Sequence, residues 1–113
     1  MNIKPPAEPG MAFSDIDTPS LVVDLDAFER NLEIMAARVT EAGVRLRPHA
    51  KTHKSPWVAL QQIARGAVGI CCQKVSEAEI MVEGGVHDVL VSNQVVGAAK
   101  LDRLAALNQQ AQV

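Results

Sequence analysis

The sequence predicts an α/β fold built from parallel β–α units. Three observations carry that expectation. From Ser20 onward, short apolar segments alternate with longer segments of helical periodicity. Four such units of similar length follow one another, which implies a parallel sheet with crossover helices. The chain has 113 residues, while a closed (β/α)8 barrel needs about 200–250. A doubly wound sheet and part of a barrel both fit the alternation. No turn or cap signal follows "NQQAQV", so a truncated chain carrying about half a barrel is expected.

The elements follow in order. Residues 1–19, "MNIKPPAEPGMAFSDIDTP", are rich in proline and read as a flexible arm. They have no apolar h-region, so they are not a signal peptide. Residues 20–113 form the partial barrel. "SLVVDL" (20–25) is expected to be the first buried strand. In the helix that follows, Phe28, Leu32, Met35 and Val39 recur at helical spacing, with Asp26 and Glu29 as a capping box and Gly43 as the stop. "VRLRPHA" (44–50) alternates like a strand. Ser55 and Pro56 open a second helix that Gly66 ends. "VGICC" (68–72) is a third strand. Ser76 and Glu79 suggest a capping box for a third helix, which Gly84 and Gly85 stop. "DVLVSN" (88–93) is a fourth strand. "GAAKLDRLAALNQQAQV" (97–113) reads as a fourth helix.

Composition excludes several functions. The net charge of −2 and the scarcity of aromatic residues argue against nucleic-acid binding. No apolar run reaches the roughly 18 residues of a membrane-spanning helix. Cys71 and Cys72 are adjacent, a spacing that disfavours a disulfide, so free thiols in a reducing cytoplasm are expected. There is no phosphate-binding loop of the P-loop or dinucleotide type.

The chemistry concentrates in "RPHAKTHK", residues 47–54. If strand 2 runs from 44 to about 51, then Arg45, Arg47, His49 and Lys51 share one face. Val44, Leu46, Pro48 and Ala50 share the other, which should meet the helices. Lys51 then stands at the C-terminal end of the strand, where α/β folds carry their active sites. Nearby Arg47, Lys54 and a protonated His49 would favour a neutral, nucleophilic amine there, suited to a Schiff base. A solvated basic loop is the plainer reading of the same residues. Metal binding by His49 and His53 is a further one, but no second ligand pair is nearby.

Four stretches, "DTPSLVVDLDAFERNL", "RLRPHAKTHK", "GICCQKVSEAE" and "DVLVSNQVVGAAKL", resemble in order the N-terminal part of D-threonine aldolases. These group with D-serine dehydratases and 3-hydroxy-D-aspartate aldolases among the alanine racemase-like, fold type III pyridoxal-phosphate enzymes. The resemblance spans residues 17 to 107. It implies the N-terminal half of a (β/α)8 TIM-type barrel, with the C-terminal half and a β-rich domain lying outside this sequence. It implies pyridoxal 5'-phosphate as cofactor, held by Lys51 rather than Lys54. It implies a lyase that cleaves a β-hydroxy-D-amino acid to glycine and an aldehyde. A dehydratase acting on D-serine or D-threo-3-hydroxyaspartate, or a non-catalytic pyridoxal-phosphate-binding protein, is the alternative. The family's divalent metal (Mn, Mg or Zn) would be held by residues absent here, so no metal ligand is assigned in this chain.

Other candidates for contact with the cofactor are His49 and Arg47 on the lysine's face, and Gln73 and Asn93 at the ends of strands 3 and 4. Arg47 could instead pair with an acidic neighbour inside the barrel. A cytoplasmic homo-oligomer acting on a small molecule is expected, and the segment alone should show weak or no activity.

Overall fold

The computed structural model describes residues 4–113. Its centre is a parallel pair, β1 (Ile70–Cys72) and β2 (Val89–Val91), in which Ile70 faces Val89, Cys71 faces Leu90 and Cys72 faces Val91. Parallel strands buried by helices are short and apolar, as "ICC" and "VLV" are. Two further segments extend this sheet in chain order. His49 bridges Cys71 on one side, and Gln112 bridges Asp88 on the other. Four parallel segments thus lie side by side in sequence order without a reversal, the arrangement of a barrel wall rather than of a doubly wound sheet. The extents of 47 × 47 × 20 Å describe an open layer.

The helices are α1 (Leu25–Glu41), α2 (Pro56–Ala64), α3 (Val75–Glu83) and α4 (Ala98–Leu107). Ser55 caps α2 by accepting the Val58 N–H, with Pro56 in the first turn. Gly84 closes α3. It lies against Pro56, where a Cβ would overlap the proline ring and hold α2 and α3 apart. The core is one layer between the sheet and α2, α3 and α4: Ala50, Ala59, Ile70, Cys72, Ala78, Met81, Val86, Val89 and Leu107.

Five sequence expectations are corrected. Residues 21–24 are extended but form no ladder, and Leu21 is 98% exposed. No backbone bond joins them to residues 44–50 among the described residues. Asp24, not Asp26, caps α1, accepting the Ala27 N–H at 2.9 Å. The expected strand 44–50 is an extended run with a single bridge. Continuing the ladder to Arg47 would require an N–H from Pro48, which proline lacks. The Ser76–Glu79 box does not form: α3 starts at Val75, and Glu79 instead pairs with Arg103. The fourth helix stops at Leu107, and the chain turns so that Gln112 joins the sheet beside β2.

Candidate active site

The observed register sorts the side chains of the sheet into two faces. Ala50, Ile70, Cys72 and Val89 point toward the helices and are buried. By alternation Arg47, His49, Cys71, Asp88 and Leu90 line the other face, the one a barrel would enclose. This agrees with the expected split of the 44–50 segment.

The lower layer of that inner face is Arg47, Gly69 and Asp88. Arg47 Nη1 meets Asp88 Oδ1 at 2.7 Å, and both side chains are largely covered. Gly69 permits this contact, because a Cβ there would overlap the guanidinium and the Asp88 carbonyl. The guanidinium therefore crosses a position with no side chain to reach the next strand. Arg47 is thus engaged with an acid inside the barrel wall.

His49 occupies the layer above. Its Nδ1 accepts the Lys51 N–H at 3.1 Å, which requires an unprotonated Nδ1 and so places the ring proton on Nε2. That contact fixes the backbone where the chain leaves the sheet. Ala50 is the last residue bonded into the sheet, through Ala50 N–H to the Cys71 carbonyl at 2.8 Å. Lys51 follows as the first exposed residue of the turn that Ala50 opens, one position past the sheet rather than on its last position as expected.

The two lysines of the cluster have different surroundings. Lys54 Nζ donates to Glu77 Oε1 at 2.9 Å, and Glu77 Oε2 accepts the Gln73 N–H at 2.9 Å. The hydrogen bond from Lys54 holds the Glu77 carboxyl below its ordinary pKa, against the opposing effect of burial. Lys51 has no ion-pair partner among the described residues. The crowding of like charges expected around Lys51 is relieved, because Arg47 and Lys54 each carry a carboxylate.

His53 repeats the pattern of His49, its Nδ1 accepting the Ser55 N–H at 3.0 Å. Burial lowers its pKa, and its Nε2 is buried with no hydrogen-bond partner. Cys71 and Cys72 are free. Burial raises the Cys72 thiol to about 11, with help from the Glu77 charge and then from Cys71, so it stays protonated and unreactive near neutral pH.

Gln73 is half-buried at the C-terminal end of β1. It lines a small cleft of about 110 Å³ with Lys74, Gln94 and Lys100. Asn93 is exposed past β2. Extending the register aligns Ser92, rather than Asn93, with Gln73 and Lys51; the Ser92 N–H and hydroxyl both meet the Cys72 carbonyl. Glu77, Asp88 and Ser92 are the residues that sequence reasoning missed. Exact register would have found Asp88 and Ser92. Glu77 was hidden by placing the start of α3 two residues late, with Ser76 instead of Lys74 at the N-cap.

A larger cleft of about 400 Å³ lies on the opposite, helix-facing side. Phe28, Leu32, Met35, Leu46, Pro48 and Gln62 line it between α1 and α2. It is an apolar packing gap away from Lys51. Among the described residues, no group of three or more His, Cys, Asp or Glu is arranged to hold a metal ion.

Comparisons with known proteins agree with this architecture. Residues 23–113 match the family model for the alanine racemase N-terminal domain. A D-threonine aldolase from Arthrobacter sp. is 53% identical over 98% of this chain and 29% of its own length. A 3-hydroxy-D-aspartate aldolase from Paracoccus denitrificans (strain Pd 1222) is 54% identical over 90% of this chain and 27% of its own. The crystal structure of D-threonine aldolase from Filomicrobium marinum superposes with a TM-score of 0.92 at 57% identity, covering 96% of this chain and 30% of that one. The chain therefore spans less than a third of the relatives it matches.

Proposed function

The chain belongs to the alanine racemase N-terminal-domain family, and from that premise we propose that it supplies the cofactor-bearing lysine of a pyridoxal-phosphate-dependent lyase of the D-threonine aldolase type. The reaction is cleavage of a β-hydroxy-D-amino acid to glycine and an aldehyde. One observation carries the assignment to a residue: among the described residues Lys51 has no ion-pair partner at the C-terminal end of a parallel sheet, while Lys54 is bound to Glu77. Two aldolases at 53% and 54% identity support the reaction class.

The residues present fit the cofactor. An amine without an ion-pair partner among the described residues sits at the rim, on a turn pinned by His49. Bound pyridoxal phosphate supplies an electron sink for the pair released at the substrate's α-carbon. Lys51 would hold the cofactor through its ε-nitrogen. His49 orients the lysine's backbone, and Arg47 with Asp88 braces the strand below it. Gln73 at the rim and Asn93 beyond β2 are candidates for contact with cofactor or substrate. Among the described residues none group as a divalent-metal site, and the metal proposed for the whole protein would be held by residues outside this chain. Among the described residues no helix is long and apolar enough to cross a membrane. A cytoplasmic homo-oligomer acting on a small molecule is the setting proposed for the whole protein.

Borohydride reduction after incubation with pyridoxal phosphate, followed by peptide mapping, tests the assignment. Label on Lys51, lost in Lys51→Ala, is expected; label on Lys54 in its place refutes it. The reaction is tested in a chimera in which this chain replaces the matching segment of a D-threonine aldolase. Aldehyde release from D-threonine is expected. Ammonia and a keto acid in its place would mark a dehydratase.

A further inference from the structure

We infer that Glu77 is a positioning residue for Lys51: by holding Lys54 and the Gln73 N–H together, it clamps the turn that carries Lys51 and keeps Lys54 from competing for the cofactor. The inference rests on the reading of Lys51 as the cofactor lysine. It adds a residue outside the basic cluster, on the helix that follows the neighbouring strand.

The geometry is specific. Glu77 lies in the first turn of α3 and is 10% exposed at its side chain. One carboxylate oxygen takes Lys54 Nζ at 2.9 Å, the other takes the Gln73 N–H at 2.9 Å. The carboxylate thus ties the turn after the 44–50 segment to the turn after β1. These two turns form the rim at which Lys51 stands.

Lys54 itself is held in an uncommon backbone state. Its φ is +51°, the left-handed region that a non-glycine residue adopts when its surroundings impose it. Two contacts impose it: the Lys54 N–H to the Ala50 carbonyl at 2.8 Å, and the side-chain bond to Glu77. The turn from Ala50 to Lys54 is therefore closed at its ends, with Lys51 inside it. A lysine bound to a carboxylate must leave that partner before its nitrogen can attack an aldehyde. Lys51 has no such partner among the described residues.

Three variants test the clamp: Glu77→Gln, Lys54→Arg and Lys54→Met. The probe is pyridoxal 5'-phosphate. A lysine nitrogen bonds its aldehyde carbon with loss of water, and borohydride supplies the hydride that makes the link permanent. Labelled sites are mapped by mass spectrometry, and backbone amide exchange is followed over residues 50–55. Circular dichroism confirms the fold of each variant. In Glu77→Gln the label on Lys54 should rise severalfold relative to Lys51, and exchange in the turn should quicken. Lys54→Met should slow labelling of Lys51 severalfold, while Lys54→Arg, which keeps the ion pair, should restore it. A merely structural lysine would not produce that contrast. Exchange and label distribution unchanged in Glu77→Gln would overturn the clamp. Quickened exchange with no label on Lys51 in the unaltered chain would uphold the clamp and overturn the cofactor assignment.

Discussion

Residues 20–43 and residues 44–113 carry equally regular local signals, yet only the second region has a core. α1 is the longest helix, with a side-chain cap at Asp24, and none of its residues is buried. β1 has three residues, all buried. Leu21, Val22 and Val23 are as β-branched and apolar as any strand here, and all three are exposed. The comparison separates two kinds of information. A helix satisfies its backbone bonds within its own segment, so its cap and periodicity suffice to form it. A strand satisfies them only through a neighbour, and residues 21–24 have none among the described residues.

Mutations should divide along the same line. The largest contrast is in side-chain truncation. Met81→Ala empties a site that is 1% exposed and should cost about 2–5 kcal/mol. Met35→Ala on α1, at 46% exposure, should cost about 0.5 kcal/mol or less. Urea unfolding midpoints measure both, and equal losses would mean that α1 is packed in solution. Next is Gly69→Ala, which forces the Arg47 guanidinium off Asp88 and should cost about 1–3 kcal/mol by overpacking. Much of that cost should remain in an Arg47→Ala background, because the added Cβ still overlaps the Asp88 carbonyl oxygen.

Asp24→Ala sharpens the comparison from the other side. Loss of the cap should cost α1 about 1 kcal/mol. Helical circular dichroism should fall while the midpoint of the sheet region stays in place. The smallest effect is the response to acid. Burial lowers the pKa of His53 below 6.5, so the neutral ring stabilises the fold above that pH, and the contribution is lost as pH falls beneath it. Glu77 and Glu79 are lowered from 4.5 by their hydrogen bonds to Lys54 and Arg103, so their contributions are lost as pH falls below that value. A pH series of melting temperatures should show two successive losses, and His53→Gln should remove the upper one.

Much of the site was legible in the sequence. Period-two alternation across "VRLRPHA" separated Arg47 and His49 from Leu46, Pro48 and Ala50, and the faces follow that division. Ser55 and Pro56 marked the start of α2 correctly. The partners were not legible. Arg47 and Asp88 are 41 residues apart, Lys54 and Glu77 23, and Glu79 and Arg103 24. Such pairs depend on strand register, which alternation leaves undetermined. The Ser76–Glu79 motif shows the same limit: a local cap signal lost to Glu79's partner on α4 and to Glu77's on the neighbouring turn.

The sequence by itself determined the order of the helices, the two faces of the 44–50 segment and that Lys51 directly follows that segment. These follow from spacing along one chain, where covalent geometry does the placing. Only the tertiary structure decided that Lys54 is occupied while Lys51 has no ion-pair partner among the described residues, that Gly69 makes room for an ion pair, and that Gln112 joins the sheet instead of extending a helix. Each depends on which atoms come within hydrogen-bonding distance across tens of residues, and that is set by packing and register.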